Sequence, residues 1–121
     1  MFLYSLATLT LYVTPRTICV LKDEGFKQVK AEVIDCLNSG RVRHEERGDI
    51  NIKNLLSTGA VTPEEVAALI GKARGGDYEC SPHHFDRKIP VHTVTVRHGE
   101  VAWYIKWYFL EPNTVFISVH D

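Results

Sequence analysis

The chain has 121 residues, of which 45% are hydrophobic and 24% are charged, and its formal net charge is −1. This length is enough for one domain that buries its own core without metal or disulfide support. The near-neutral charge excludes a protein that binds nucleic acid through a uniformly basic surface, so an RNA partner would need a local group of cations. The scattered cysteines Cys19, Cys36 and Cys80 argue against a disulfide framework and favour a reducing cytoplasm.

The N-terminal segment, residues 1–21, has two interpretations. Leu9, Leu11 and Val13 alternate with Thr8, Thr10 and Tyr12, which indicates a strand. The alternative is a loosely docked N-terminal extension. Its apolar run lacks a basic start and is too short to span a bilayer, so we expect neither a signal peptide nor a membrane segment. Residues 22–121 are predicted to form the core of a single domain that comprises residues 1–121.

Two helices have clear sequence signals. The first is predicted over residues 22–38, ends at Ser39-Gly40, and carries an apolar face of Phe26, Val29, Val33, Ile34 and Leu37. The second begins at Thr62-Pro63-Glu64-Glu65, where Thr62 caps the helix and Glu65 completes a capping box, and it buries Val66, Ala67, Leu69 and Ile70. Between them, residues 41–49 are expected to form a charged, solvated loop and residues 51–56 a short helix. The alternative for the loop is that Arg41 or Arg43 contacts phosphate.

The second half of the chain changes to a period of two residues, which indicates strands. We predict strands at residues 78–81, 91–97, 101–110 and 115–120, joined by turns at residues 98–100 and 111–113. Helices followed by such strands predict an α+β domain, with the N-terminal helices packed on a C-terminal antiparallel β-meander.

Strand register determines which polar residues share a face. A three-residue turn at 111–113 matches the apolar faces of the last two strands, and it sets Tyr104 opposite His120 and Lys106 opposite Ser118. For the preceding hairpin, a three-residue turn would set His92 opposite Lys106 on this polar face. A two-residue turn would instead set His92 beside Ile105 on the apolar face. We favour the first register because it leaves no histidine buried.

The predicted polar face has the residue types that metal-free RNA cleavage needs. A base must remove the 2′-OH proton, an acid must protonate the leaving 5′-oxygen, and cations must offset the phosphate charge. Histidine suits the first two roles near neutral pH, and lysine or arginine suits the third. We therefore predict His92 and His120 as the base–acid pair, in either order, with Lys106 and Arg87 offsetting the phosphate charge and Tyr104 orienting the scissile group.

Several segments, taken in order and spacing, also resemble a known family. They are Gln28-Val29-Lys30, residues 37–43, the helix at 67–71, Gly76-Asp77-Tyr78-Glu79-Cys80-Ser81, the strand with His92, Tyr104-Ile105-Lys106, and residues 115–120. Over residues 26–120 the chain resembles the MqsR family of toxin–antitoxin ribonucleases, which have a RelE-like fold. The resemblance implies messenger RNA as substrate and a cognate antitoxin protein that restrains the toxin. The leading hypothesis is therefore a ribosome-independent endoribonuclease that cleaves RNA without a metal or cofactor, in the cytoplasm that the cysteine pattern favours.

The resemblance also implies where the site lies. The family's functional positions fall on Cys80, His92, Tyr104 and His120, and at Cys80 and His120 the family has lysine. His83, His84, Arg87 and Lys88 are close enough in sequence to supply the missing charge, so we assign them, with Ser118, to substrate binding.

Two other classes of function compete with a nuclease. A non-catalytic RNA- or protein-binding module on the same fold would use Trp103, Trp107 and Tyr108, although both tryptophans fall on the predicted core face. A metal site would use Cys80, His83, His84 and His92, but the chain lacks a second tight pair of ligands.

Overall fold

The computed structural model describes residues 22–45 and 54–121. Within these ranges the chain forms three α-helices and one five-stranded sheet, which confirms the predicted α+β class. The helices are α1 (Lys22–Ser39), α2 (Leu55–Thr58) and α3 (Pro63–Lys72). The strands are β1 (Val42–His44), β2 (Tyr78–Pro82), β3 (Pro90–His98), β4 (Val101–Leu110) and β5 (Asn113–His120). The strand proposed within residues 1–21 lies outside the described residues.

The helix signals in the sequence are realised at both long helices. Phe26, Val33 and Leu37 of α1 are buried, and Gly40, with φ at +79°, follows the helix in the left-handed conformation that glycine adopts without strain. At the start of α3 the Thr62 hydroxyl accepts from the Glu65 N–H at 3.1 Å, and the Glu65 carboxylate accepts from the Thr62 N–H at 2.8 Å. The predicted capping box is thus confirmed.

The short helix α2 begins later than predicted. Its N-cap is Asn54, whose side-chain oxygen accepts from the Ser57 N–H at 3.1 Å, so α2 occupies Leu55–Thr58. Residues 51–53 of the predicted helix lie outside the described residues. Asn54 is buried, and its amide also donates to the Phe116 carbonyl oxygen at 3.4 Å. This contact with β5 fixes the position of Asn54 and therefore the residue at which the helix begins. Hydrophobic periodicity in the sequence carries no information about such a long-range contact.

The sheet has the strand order β1-β5-β4-β3-β2 and is mixed. Strands β2 to β5 form the predicted antiparallel meander, and β1 adds a parallel strand on the outer edge of β5. The prediction of a solvated loop over residues 41–49 is therefore wrong for Val42–His44. The strand forms because β5 offers an edge of backbone groups: the Thr114 N–H donates to the Arg41 carbonyl, and the Glu45 N–H to the Phe116 carbonyl, each at 3.0 Å.

The hydrophobic core lies between the helices and one face of the sheet. Its fully buried residues include Val33 of α1, Val66 and Ile70 of α3, and Val94, Ile105, Trp107, Phe116 and Val119 of the sheet. Trp103 packs partly buried against the same core, so the assignment of both tryptophans to packing is confirmed. The opposite face of the sheet carries Tyr104, Lys106, Ser118 and His120, together with the buried apolar side chains of Val91 and Ile117.

The hairpin between β4 and β5 reaches the predicted pairing by a different route. Its turn has two residues, Glu111 and Pro112, joined by a cis peptide bond, and not the three predicted. A bulge then leaves Ile117 without a partner on β4, because Lys106 pairs with Ser118 and Trp107 with Phe116. The shorter turn and the extra residue offset each other. The bulge also turns Phe116 into the core, whereas simple alternation along residues 115–120 predicts it on the face of Ser118 and His120.

Candidate functional site

A strip of polar side chains crosses β4 and β5 on the face away from the helices. Tyr104 pairs with His120 and Lys106 pairs with Ser118, which confirms the predicted register of this hairpin. The Tyr104 and His120 rings are tilted against each other with centroids 5.2 Å apart. Tyr104 and Lys106 are two residues apart on one strand, hence about 7 Å apart along it. We call these four residues, Tyr104, Lys106, Ser118 and His120, the polar strip.

A cleft joins one end of the polar strip to the loop between β2 and β3. It has a volume of about 320 Å³ and is lined by Pro82, His83, His84, Arg87, Val91, Lys106 and Ile117. Because Lys106 belongs to both the strip and this loop cleft, it lies between the Tyr104–His120 pair and the cation of Arg87. The structure thus brings together residues that are far apart in the sequence and that the sequence analysis assigned to one site.

His83 holds the loop of residues 83–89 in place. Its side chain is buried, and its Nδ1 accepts from the backbone N–H groups of Phe85 at 3.0 Å and Asp86 at 3.2 Å. Since backbone N–H groups only donate, Nδ1 is the acceptor and Nε2 carries the ring proton. Nε2 lies 3.0 Å from the Glu45 carboxylate, to which it donates. His83 therefore positions the loop, although it was assigned to substrate binding.

The other assigned residues of this loop lie at its surface. His84 and Arg87 are exposed and line the loop cleft, whereas Lys88 is exposed and does not line it. The backbone N–H of Lys88 donates to the Asp86 carboxylate at 3.1 Å, which tightens the turn. Of the four loop residues that were assigned to substrate binding, His84 and Arg87 are thus the exposed ones that line the cleft with Lys106.

His92 lies on the opposite side of the sheet from the polar strip. In the β3–β4 hairpin His98 pairs with Val101, so the turn is the two-residue Gly99-Glu100, and His92 pairs with Trp107. The favoured register, with His92 opposite Lys106, is therefore wrong, and the residue that does oppose Lys106 is Thr93. The structure has the alternative register, in which a two-residue turn places His92 on the apolar face, but His92 lies opposite Trp107 and not beside Ile105. Apolar burial of Val94 and Val96 outweighs the penalty for one buried histidine.

Burial changes the chemistry of His92. The side chain is 3% exposed, and its Nδ1 forms a hydrogen bond of 2.8 Å with the Tyr78 hydroxyl. Its ring also contacts the rings of Trp107 and Phe109, at centroid distances of 5.9 and 5.2 Å. Desolvation lowers the pKa of His92 to about 4 and raises the pKa of Tyr78 to about 12. Both groups are consequently neutral near pH 7.

The residues of the metal hypothesis do not assemble into a site. His92 faces the core, both ring nitrogens of His83 are already hydrogen-bonded, and Cys80 is disulfide-bonded. Within residues 22–45 and 54–121, no three histidine, cysteine or carboxylate side chains are grouped to hold a metal ion. The disulfide at Cys80 also contradicts the inference drawn from the cysteine spacing, while Cys36 is a buried free thiol.

Two residues next to the site were not identified from the sequence. Glu45 anchors His83 across the fold, and only the tertiary structure brings residues 38 positions apart together. Phe85 is 77% exposed and lies at the tip of the loop, with its ring edge-on to His84 at a centroid distance of 4.8 Å. A phenylalanine between His84 and Asp86 in a polar loop is a sequence signal that could have identified it.

The comparisons leave the family of this chain open: no family model and no curated protein sequence matches it. Among the described residues, no helix is long and apolar enough to cross a membrane.

Proposed function

We propose that this protein is a metal-independent endoribonuclease, with a RelE- or MqsR-like fold, that acts as the toxin of a toxin–antitoxin pair. One observation carries the proposal: Lys106 joins the Tyr104–His120 pair to a cleft that also contains His84 and Arg87. The sequence resemblance supports the toxin role, messenger RNA as substrate and an antitoxin partner, whereas the disulfide at Cys80 argues against the cytoplasmic location that the cysteine spacing favoured.

The proposed reaction is an in-line attack within the RNA. A base removes the 2′-OH proton, the 2′-oxygen forms a bond to the adjacent phosphorus, and the bond from phosphorus to the 5′-oxygen breaks. An acid donates a proton to the leaving 5′-oxygen, so the products are a 2′,3′-cyclic phosphate and a 5′-hydroxyl. The atoms balance without water or a cofactor.

The side chains on the polar face suit these roles once His92 is set aside. His120 and His84 are the histidines beside Lys106 with a face to solvent, and we assign them as the proton-transfer pair. Lys106 and Arg87 offset the charge that develops on the phosphate, and Tyr104 orients the nucleotide against His120. Ser118 pairs with Lys106 but is only 8% exposed, so we do not assign it a contact with the phosphate.

The test is cleavage of a labelled single-stranded RNA by the purified full chain in excess EDTA. We expect products that end in cyclic phosphate. Replacing His120 with alanine should slow cleavage by roughly 10²- to 10⁴-fold, the usual value of a proton-transfer residue. Lys106→Ala should slow it by about 10²- to 10³-fold, as removal of one charge-stabilising donor does.

Two control variants show whether an effect on cleavage is specific to the site or follows from removing any lysine or histidine. Lys27→Ala removes an exposed cation of α1, and His98→Ala removes an exposed histidine at the end of β3. Both variants should cleave as the wild type does. If Lys106→Ala and His120→Ala also do so, the site assignment is wrong. If the wild type binds RNA but does not cut it, the protein is the non-catalytic binding module.

The toxin role has its own test. Expression of the wild-type chain should arrest bacterial growth, and expression of Lys106→Ala at the same level should not. Normal growth with active wild-type nuclease would refute the toxin role and leave the nuclease in place.

A further inference from the structure

We propose that Phe85 is a stacking platform for an unpaired base of the RNA, so that the proposed nuclease selects single-stranded substrate. Phe85 is 77% exposed, more than Leu110 at 51% and Val101 at 41%, the other exposed large apolar residues of the described chain. This inference rests on the proposed function, because it describes how the substrate of that site is held.

The ring of Phe85 stands beside the cationic part of the site. It contacts the His84 ring edge-on, and His84 lines the loop cleft together with Arg87 and Lys106. A nucleotide combines an apolar, flat base with a charged phosphate, so a receptor for it needs an aromatic surface next to cations. The 83–89 loop presents both.

The loop is built to hold the backbone of Phe85 at a constant position. The His83 N–H donates to the Ile89 carbonyl at 2.8 Å, and the Ile89 N–H donates to the Asp86 carbonyl at 2.9 Å, which closes the loop on itself. The His83 ring accepts from the N–H of Phe85 and is fixed in turn by Glu45. A platform ordered before binding loses little conformational entropy when a base stacks on it.

The charge pattern favours RNA over a protein as the occupant. His84 precedes Phe85 in the chain, Arg87 and Lys88 follow it after Asp86, and Lys106 lines the cleft with His84 and Arg87. The acidic group of the loop, Asp86, already accepts a hydrogen bond from the Lys88 backbone N–H. In a duplex, stacked and paired bases are not accessible to the ring, so the platform distinguishes single from double strands.

The experiment measures binding and not cleavage, so that it succeeds or fails independently of the nuclease assay. The ligand is a fluorescent single-stranded RNA with 2′-O-methyl groups, which lacks the attacking hydroxyl, at one fixed salt concentration. Phe85→Ala should raise its dissociation constant by about 5- to 150-fold, the usual value of one base–aromatic stack. Phe85→Trp should keep the affinity, and its added indole fluorescence should be quenched by the RNA.

Val101→Ala is the control, since it removes another exposed apolar side chain, at the end of β4 away from the 83–89 loop. Its affinity for the single strand should equal that of the wild type, and the duplex form of the RNA should bind equally to all variants. Equal single-strand affinity of Phe85→Ala and wild type overturns the platform and leaves the ring to a protein contact. If the wild type fails to bind the single strand, the platform is overturned as well. Loss of cleavage with Phe85-dependent binding intact would instead refute only the nuclease.

Discussion

The buried His92 makes the stability of this protein depend on pH in a defined direction. Its pKa is about 4 in the folded chain, where burial disfavours the charged ring, and 6.5 is the ordinary value expected in the unfolded chain. As pH falls below the ordinary value, the unfolded state binds the proton and the folded state does not, so unfolding becomes easier. Below the folded-state pKa both states are protonated and the effect reaches its limit.

The size of the effect follows from these two values. One pKa unit corresponds to about 1.4 kcal/mol, so the free energy of unfolding should fall by about 1.4 kcal/mol for each pH unit over this range. Between pH 6.5 and about 4 the total is about 3 kcal/mol. The groups in contact with His92 are Tyr78, Trp107 and Phe109, and none of them gains or loses a charge in this interval.

The assay is urea unfolding of wild type and His92→Gln at a series of pH values across this interval. Glutamine does not titrate, so the variant should lose about 3 kcal/mol less than the wild type on acidification, whatever its stability at neutral pH. Burial also lowers the pKa of His44, but that contribution is common to both proteins and cancels in the comparison.

Two controls define the outcome that refutes this reasoning. Tyr78→Phe removes the hydrogen bond to His92 but keeps the buried imidazole, so it should retain the pH dependence. His98→Gln replaces an exposed histidine and should also behave as the wild type. If His92→Gln shows the same pH dependence as the wild type, His92 is not buried in neutral form and the β3–β4 register described above is wrong.

The remaining predictions concern the elements that position the site, and urea unfolding at neutral pH measures each of them. Thr62→Ala removes the cap of α3 and should cost about 1 kcal/mol, and Thr62→Ser should restore most of it. Glu45→Ala leaves the buried Nε2–H of His83 without its acceptor and should cost about 1–3 kcal/mol, more than Glu45→Gln. Trp107→Ala should cost about 3–5 kcal/mol because it empties the core, whereas Leu110→Ala on the same strand should change stability by less than about 0.5 kcal/mol. Equal effects of the last two substitutions would contradict the assignment of the sheet faces.

The polar strip shows how far register reasoning reaches. The pairing of Tyr104 with His120 was predicted because the apolar residues of β4 and β5 align in one way only, and the structure has that pairing. The predicted turn was nevertheless one residue too long, and the bulge at Ile117 restores the register. Turn length and bulge position depend on local packing. The apolar pattern therefore predicted the pairing that the turn and the bulge produce together, but neither the length of the turn nor the presence of the bulge.

His92 shows where the same reasoning fails. The sequence permits either face for this residue, and the argument against burying a histidine favoured the wrong one. In the structure the Tyr78 hydroxyl satisfies Nδ1, and three aromatic rings surround the imidazole. A partner for a buried polar group comes from other strands, so its presence could not be read from β3 alone.

Elements whose signals are local can be predicted from the amino-acid sequence alone. The capping box of α3, the apolar face of α1 and the alternation along β4 each lie within one short segment, and each is present as predicted. Three other features depend on the folded chain: the parallel pairing of β1 with β5, the anchoring of His83 by Glu45, and the loop cleft that joins Arg87 to Lys106. These contacts join residues far apart in the chain. The free energy of each of these contacts depends on surfaces that exist only after the core has formed. A periodic pattern within one segment therefore cannot predict them.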